Sequence, residues 1–150
     1  MPRHWTPALF AAFAVVCTLL VLKAQMRGAA TAATRGKLKR YLNAEDAAWR
    51  GGTHVSRDDE SVQRIFRTHR NDLENLLPFF ISGCLYIVSG GSEMLGEVYF
   101  AAFLLVRYAY SFAYLTQKPR LRRDTYTIGW LVTMVMGVHA ASNAVSMALK

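Results

Sequence analysis

Residues 125–149, TYTIGWLVTMVMGVHAASNAVSMAL, contain no Asp, Glu, Lys or Arg. A stretch of this length is close to the ~20 residues that a helix needs to cross ~30 Å of hydrocarbon. Three further charge-poor stretches lie upstream, at 5–22, 73–89 and 98–115. Glu74 and Arg107 are their only charged interruptions. Because a spanning segment must satisfy its backbone hydrogen bonds internally, all four stretches are predicted to be helices.

The chain is therefore predicted to be an all-α integral membrane protein, a four-helix bundle in a single domain, residues 1–150. The predicted spans are 5–33, 62–89, 95–116 and 124–149. Hydrophobic residues make up 53% of the chain, yet its formal net charge is +8, which also fits a basic nucleic-acid-binding protein. The position of the basic residues disfavours nucleic acid, because they border the apolar stretches and have no soluble fold of their own.

Lys and Arg concentrate in two of the three predicted loops. One is the long segment between the first two spans, and the other is QKPRLRRD, residues 117–124. The remaining loop, GGSEMLGE (90–97), carries two Glu residues instead, and the termini add only Arg3 and Lys150. Cytoplasmic loops of membrane proteins are enriched in Lys and Arg. Both basic loops are therefore predicted to be cytoplasmic, in either a bacterial inner membrane or the endoplasmic reticulum.

The N-terminal segment, residues 1–25, has a second interpretation as a cleaved signal peptide, because small residues follow its apolar core. Lys23 and Arg27 come directly after that core and favour a retained helix instead. Lys23 and Arg64 are interpreted as long side chains that reach the lipid headgroups.

No metal site or disulfide is predicted. Cys17 and Cys84 both fall inside apolar spans, without a CxxC partner or a nearby His at metal-ligand spacing. Both are interpreted as small buried hydrophobic residues.

Polar residues inside membrane spans are costly and mark functional sites by default. In RTHRNDLENLLPF (67–79), four of them share one helical face at i, i+3, i+4 and i+7 spacing: Arg67, Arg70, Asn71 and Glu74. His69 and Asp72 point away from this face. The third and fourth spans repeat the pattern with two further groups: Arg107, Tyr110 and Tyr114, then Arg122, Arg123 and Tyr126.

Two interpretations of these faces remain open. Each residue taken alone fits an interhelical ion pair, such as Glu74 with Arg107, or an Arg that reaches the headgroups. Three polar faces toward the cytoplasmic end are more than four helices need in order to associate, since interhelical polar contacts contribute only ~0.6 kcal/mol on average. An Arg-rich pocket with one carboxylate and several phenols suits an anionic ligand that also carries an ammonium group. Glutathione, with two carboxylates, an amine and a thiol, fits this description, although the spacing alone leaves other small anions open.

The chain resembles one family in particular, the membrane-associated proteins in eicosanoid and glutathione metabolism (MAPEG). The resemblance rests on residues 67–79, on RYAYSFAYL (107–115) and on RRDTYT (122–127). The loop NAEDAAWRGG (43–52) is similar to the prostaglandin E synthase branch, and NDLEN (71–75) is similar to the microsomal glutathione transferase branch. The resemblance covers essentially the whole chain. It implies a homotrimer of four-helix protomers, with glutathione bound between neighbouring subunits near the cytoplasmic face.

The resemblance also implies roles for individual residues. Arg122, four residues before Tyr126, matches the family's key arginine, and Asp46 matches an aspartate that the synthase branch uses in catalysis. A loop acid that pairs with Lys39 or Arg50 is the alternative role of Asp46. The polar faces and the resemblance together give these candidate glutathione-binding residues: Arg35, Arg67, Arg70, Asn71, Glu74, Arg107, Tyr110, Tyr114, Arg122, Arg123 and Tyr126.

Two residues depart from the family pattern. Tyr110 stands where both branches commonly have His, and Arg123 stands where the synthase branch has Ser, which disfavours prostaglandin isomerisation. The predicted function is a membrane-bound glutathione transferase or peroxidase, in which Arg122 stabilises the glutathione thiolate for attack on an apolar electrophile or a lipid hydroperoxide. A glutathione-dependent prostaglandin E synthase-type isomerase and a non-enzymatic lipid-binding scaffold are the alternatives. The predicted partners are glutathione, an apolar substrate and membrane lipids, without nucleic acid.

Overall fold

The computed structural model describes residues 6–149 and is almost entirely helical in that range. The prediction of an all-α chain is confirmed. The elements in chain order are α1 (Pro7–Leu38), β1 (Arg40–Tyr41), α2 (Ala44–Arg50), β2 (Thr53–His54), α3 (Glu60–Val88), α4 (Glu93–Leu115) and α5 (Pro119–Ala148). The short helix α2 and the two-residue parallel pairing of β1 with β2 were not predicted.

Three helices among the described residues are long and apolar enough to cross a membrane: α1, α4 and α5. The fourth, α3, has 29 residues, which at 1.5 Å per residue gives a length of about 43 Å. Its first turns are rich in charge, so its crossing of the bilayer stays a prediction. Each of the four long helices overlaps one predicted span, and Trp5, the predicted start of the first, lies outside the described residues.

The helix boundaries follow from local chemistry. Thr6 caps α1 with its hydroxyl, and Pro7 occupies the first turn, where its missing N–H costs nothing. α1 ends at Leu38, and Lys39, which follows it, adopts a left-handed conformation with φ of 50°. The Asp59 carboxylate caps α3 and accepts hydrogen bonds from the hydroxyl (2.7 Å) and the backbone N–H (2.9 Å) of Ser61. These bonds favour the charged form and lower the pKa of Asp59.

The apolar core lies between α1, α3, α4 and α5 and is dominated by phenylalanine rings. Phe79 stacks on Phe103 with ring centroids 3.9 Å apart, and Phe13 packs against Phe100 at 5.0 Å. All four rings are buried. α1 approaches α3 closely here because residue 83 is Gly: a Cβ at that position would overlap the ring of Phe13.

Gly83→Val is expected to lower the free energy of unfolding by about 2 kcal/mol, because overpacking a filled core forces side chains out of their rotamers. The matched control is Gly36→Val on α1, where an added Cβ would meet no atom within 4 Å. Reversible unfolding in mixed detergent micelles measures both variants. Equal losses in the two variants would contradict the close approach of Phe13 to residue 83.

Candidate functional site

A buried ion cluster joins three of the long helices. The Asp72 carboxylate of α3 accepts hydrogen bonds from Lys23 Nζ of α1, at 2.7 Å to each oxygen, and from Arg107 Nη2 of α4, at 2.6 Å to Oδ1. The exposed fractions of the Lys23, Asp72 and Arg107 side chains are 4%, 1% and 0%. Two cations share one carboxylate, so the cluster carries a net charge of +1.

This cluster corrects two interpretations made from the sequence. The expectation that Lys23 reaches the lipid headgroups is wrong, because its ammonium group is buried against Asp72. Arg107 pairs with Asp72 and not with Glu74. Asp72 was not among the candidate residues; it lies on the inward face of α3 with Leu76 and Phe79, which are also buried.

Arg107 makes further contacts that connect the ion cluster to predicted site residues. Its Nη2 donates a second hydrogen bond, to Asn71 Oδ1 at 2.8 Å, and its guanidinium group lies over the Tyr110 ring at 4.6 Å. Within residues 6–149, Arg107 Nε and Nη1 are buried without a hydrogen-bond partner. Buried polar groups are normally satisfied by protein groups or by ordered water, and the Arg107 side chain is fully enclosed by the protomer.

Three tyrosines extend this arrangement toward the start of α5. The Tyr110 ring lies 5.8 Å from Tyr114 and 6.3 Å from Tyr126, measured between centroids. The guanidinium group of Arg122 lies 4.8 Å over the Tyr114 ring, at a distance typical of a cation–π interaction. Six candidate residues are thus contiguous, and we call them the tyrosine cluster: Asn71, Arg107, Tyr110, Tyr114, Arg122 and Tyr126.

Three other candidates, all on α3, lie on the surface of the protomer. Arg70 donates to Glu74 at 2.9 Å, and their side chains are 72% and 56% exposed. Arg67 pairs with Glu60 one to two turns before it, also on the exposed surface. Glu74 nevertheless borders the tyrosine cluster, because it lines a cavity of about 250 Å³ together with Tyr126.

Arg123 stands apart from the tyrosine cluster. It pairs with its neighbour Asp124 at 2.8 Å in an exposed ion pair. Arg122 is therefore the α5 arginine that contacts the cluster.

Arg35 and Asp46 lie together in a second, separate place. Both line a small cavity of about 110 Å³ with Arg50. The Arg35 guanidinium group holds Asp58 through two hydrogen bonds of 2.6 and 2.8 Å. Asp46 accepts a hydrogen bond from Asn43 at 2.9 Å, and no ion pair of Asp46 occurs within residues 6–149, so its alternative pairing with Lys39 or Arg50 is not formed.

A larger cavity, about 480 Å³, lies between the last turns of α3 and the second half of α5. Its lining is apolar apart from Ser89 and includes Leu85, Val88, Ala141 and Met147. The tyrosine cluster involves the opposite, N-terminal parts of the same two helices. A cavity without charged groups suits hydrocarbon and not a charged peptide.

Comparisons with known proteins identify the family of the chain. The MAPEG family profile matches residues 9–142. The chain is 37% identical to human prostaglandin E synthase over 136 residues, which are 87% of this chain and 89% of that protein. It is 35% identical to human microsomal glutathione S-transferase 1 over 133 residues, 85% and 86% of the two chains. It is also 34% identical to rat prostaglandin E synthase over 128 residues, 85% and 84% of the two chains.

The predicted family and fold class are thereby confirmed, including the prediction of an integral membrane helical bundle. The profile match covers α3 and α4 completely, most of α1 and α5, and every residue of the tyrosine cluster. This chain belongs to the MAPEG family.

Proposed function

We propose that the protein is a membrane-bound glutathione transferase and peroxidase that activates the glutathione thiol for reaction with an apolar electrophile or a lipid hydroperoxide. The observation that carries the proposal is the tyrosine cluster, which connects two arginines through three phenol rings. The likeness to microsomal glutathione S-transferase 1 supports the same activity.

The charges around the tyrosine cluster suit glutathione. Arg122 has a cation–π contact but no ion pair among the described residues. Guanidinium groups of this kind bind carboxylates through two parallel hydrogen bonds. Glu74, which lines the cavity of about 250 Å³ with Tyr126, can receive the ammonium group, and Asn71 and the phenols can bond the peptide groups.

We further propose that the site is completed by a neighbouring subunit in a homotrimer. Arg70 and Glu74 lie on the outer surface of a helix predicted to cross the bilayer, where charged groups facing lipid are costly. Arg35 lies outside the tyrosine cluster of its own protomer and is bonded to Asp58. An adjacent copy would cover Arg70 and Glu74 and would bring its own Arg35 to the ligand. Both basic loops then face the cytoplasm, where glutathione is reached from the aqueous side.

The chemistry requires a thiolate next to an apolar substrate. A free thiol has a pKa of about 8.5 and is mostly protonated at neutral pH. Arg122 favours the anion, which attacks the electrophilic carbon; a C–S bond forms, the leaving group departs with its electron pair, and the thiol proton passes to water. With a hydroperoxide, two glutathione molecules are oxidised to the disulfide while the O–O bond is reduced to an alcohol and water. The protein contributes proximity and electrostatic stabilisation.

Isomerisation of a prostaglandin endoperoxide is the second candidate. It is favoured by the 37% identity to human prostaglandin E synthase and by Asp46, which lines one cavity with Arg35. Tyr110 and Arg123 disfavour it, because they replace the His and Ser of that branch.

Equilibrium binding of glutathione to the detergent-purified protein tests the proposal. We expect saturable binding that is weakened in Glu74→Ala, because the exposed carboxylate proposed to receive the ammonium group is removed. Conjugation of an aryl halide, reduction of a lipid hydroperoxide and isomerisation of an endoperoxide then distinguish the activities. Turnover of the endoperoxide alone would establish the isomerase, and absence of glutathione binding would leave the non-enzymatic scaffold.

A further inference from the structure

A further cavity, of about 220 Å³, lies between α1 and α4 and opens on the surface of the bundle beside Met26, which is 71% exposed. The described residues that line it include two cations and no acid: Lys23, Met26, Arg27, Ala30 and Tyr108. None of them belongs to the tyrosine cluster. The cavity is therefore a positively charged site apart from the residues assigned to glutathione.

Arg27 is the cation of this cavity that lacks a counter-ion. Its half-buried side chain forms no ion pair and no hydrogen bond with any of residues 6–149, whereas the Lys23 ammonium group is held by Asp72 at 2.7 Å. Residues four apart on a helix are neighbours, so the like charges of Lys23 and Arg27 repel each other. The ion cluster next to Arg27 already carries a net charge of +1. An anion in the cavity would offset this excess of positive charge.

The level of Arg27 along α1 is that of a lipid headgroup. The charge-free part of α1 ends at Leu22, and the helix continues past Arg27 into the basic segment that is predicted to be cytoplasmic. Tyr108, which is 47% exposed, is of a residue type that is enriched where hydrocarbon meets the headgroups. Basic pockets between membrane helices on the cytoplasmic side bind anionic headgroups.

α1 and α4 run parallel to each other from this cavity toward the middle of the bundle. Tyr108 Oη donates to the backbone oxygen of Leu19 at 3.4 Å, and six residues earlier on α1 the Phe13 ring packs against Phe100 at 5.0 Å. A direction that is away from the cavity on one helix is therefore away from it on the other.

Two exposed apolar stripes lead away from the cavity in that shared direction. At spacings of three and four residues, they are Met26, Leu22, Leu19 and Val15 on α1, and Tyr108, Leu105, Ala101 and Val98 on α4. From Met26 to Val15 the helix rises about 16 Å, which is roughly half of the ~30 Å hydrocarbon core. The stripes thus have the length of the acyl chains in one leaflet.

We propose that this cavity binds the phosphate of one anionic glycerophospholipid, from the leaflet that borders the basic loops, with the acyl chains along the two stripes. The Arg27 guanidinium group donates to the phosphate oxygens, which its planar fork matches. Lys23 contributes charge and no hydrogen bond to the lipid, because its ammonium group is occupied by Asp72. Lipid binding at this place needs no glutathione and is independent of the proposed function.

Native mass spectrometry of the detergent-purified protein, titrated with phosphatidylglycerol, tests the proposal. We expect saturable binding of one lipid per protomer. Arg27→Gln should raise the dissociation constant about tenfold, which is the loss of a charge-assisted contact. Arg27→Lys keeps the charge but not the fork and should raise it about threefold. Lys37→Gln removes an exposed cation of the same helix and is the matched control, with wild-type binding expected.

Two further probes identify the source of the phosphate. Phosphatidylcholine carries the same phosphodiester with a cationic choline, and we expect it to bind about tenfold more weakly than phosphatidylglycerol because two cations line the cavity. Inorganic phosphate in millimolar excess should not displace the lipid, because it has no chains to cover the apolar stripes.

Equal affinity of the wild type and Arg27→Gln for phosphatidylglycerol overturns the proposal. Displacement of the lipid by inorganic phosphate also overturns it, because the site would then be one for a soluble anion. A wild-type oligomer that binds no lipid and dissociates in Arg27→Gln would show that a neighbouring copy covers the cavity, against the proposal. If Arg27→Gln does not fold, the wild type decides: equal affinities for phosphatidylglycerol and phosphatidylcholine refute the anionic site.

Discussion

Arg122→Ala is expected to lower the fraction of bound glutathione present as thiolate about 30-fold at pH 7. A thiol with a pKa near ~8.5 is only about 3% ionised at that pH, whereas contact with a guanidinium group in a partly desolvated site favours the anion. We expect Arg122 to lower the pKa of the bound thiol, so that the wild-type thiolate is present above that lowered value. In the variant the thiolate should be missing between the lowered value and about pH 8.5. The ultraviolet absorbance of the thiolate, followed against pH, measures both midpoints.

Turnover of an aryl halide by Arg122→Ala should fall less than the thiolate population. A less stabilised thiolate is intrinsically more nucleophilic, which offsets part of the loss, and the rate should recover as the pH is raised toward 9. Arg120→Ala removes a neighbouring exposed arginine of α5 and is the matched control, with the wild-type titration expected. An unchanged thiolate midpoint in Arg122→Ala would exclude Arg122 from thiol activation.

Asp72→Ala is expected to destabilise the protein by about 3–5 kcal/mol, because it leaves Lys23 and Arg107 buried together without a counter-ion. The net charge of the cluster would rise from +1 to +2 in a low-dielectric interior. Unfolding in mixed detergent micelles measures the loss, and at this magnitude much of the protein should fail to fold during expression.

Glu74→Ala is the comparison for Asp72→Ala on the same helix. Glu74 forms an exposed ion pair with Arg70, of a kind that contributes about 0.3–0.5 kcal/mol. We expect its removal to leave the free energy of unfolding nearly unchanged and to weaken glutathione binding instead. Similar stability losses in the two variants would contradict the burial of the ion cluster.

The four long helices could be predicted from the sequence because the length of an apolar run is local information. The helices extend beyond the predicted spans at several ends. α5 begins at Pro119 and not near 124, since a proline is well tolerated in the first helical turn. α1 continues to Leu38, beyond the predicted end at residue 33, because helical backbone does not stop where the apolar stretch does.

The sequence grouped polar residues on single helices but did not establish which faces of different helices meet. Arg67, Arg70 and Glu74 share a face as predicted, yet that face of α3 points outward. The inward face holds Asp72, which stands four residues before the buried Leu76. A helical face is read from one segment, whereas its orientation depends on tertiary packing.

The spacing of the apolar residues along α1 and α4 could nevertheless have predicted the ion cluster. Lys23 continues the buried stripe of α1 at heptad-like spacing: Leu9, Phe13, Val16 and Leu20. Arg107 continues the equivalent stripe of α4: Gly96, Phe100 and Phe103. A charged residue in phase with a core stripe predicts a buried charge, and two cations and one anion of this kind predict a shared contact. The sequence does not show which carboxylate oxygen contacts which nitrogen; only the structure does.

The ion cluster also constrains how the chain enters the bilayer during translation. Lys23 and Asp72 are 49 residues apart, and Asp72 and Arg107 are 35 residues apart. At roughly 5–20 residues per second, several seconds separate the synthesis of each charged residue from that of its partner. α1 therefore leaves the ribosome before the counter-ion of Lys23 has been made. The ion cluster can form only after α3 and α4 have also been synthesised, so the buried position of Lys23 depends on all three helices.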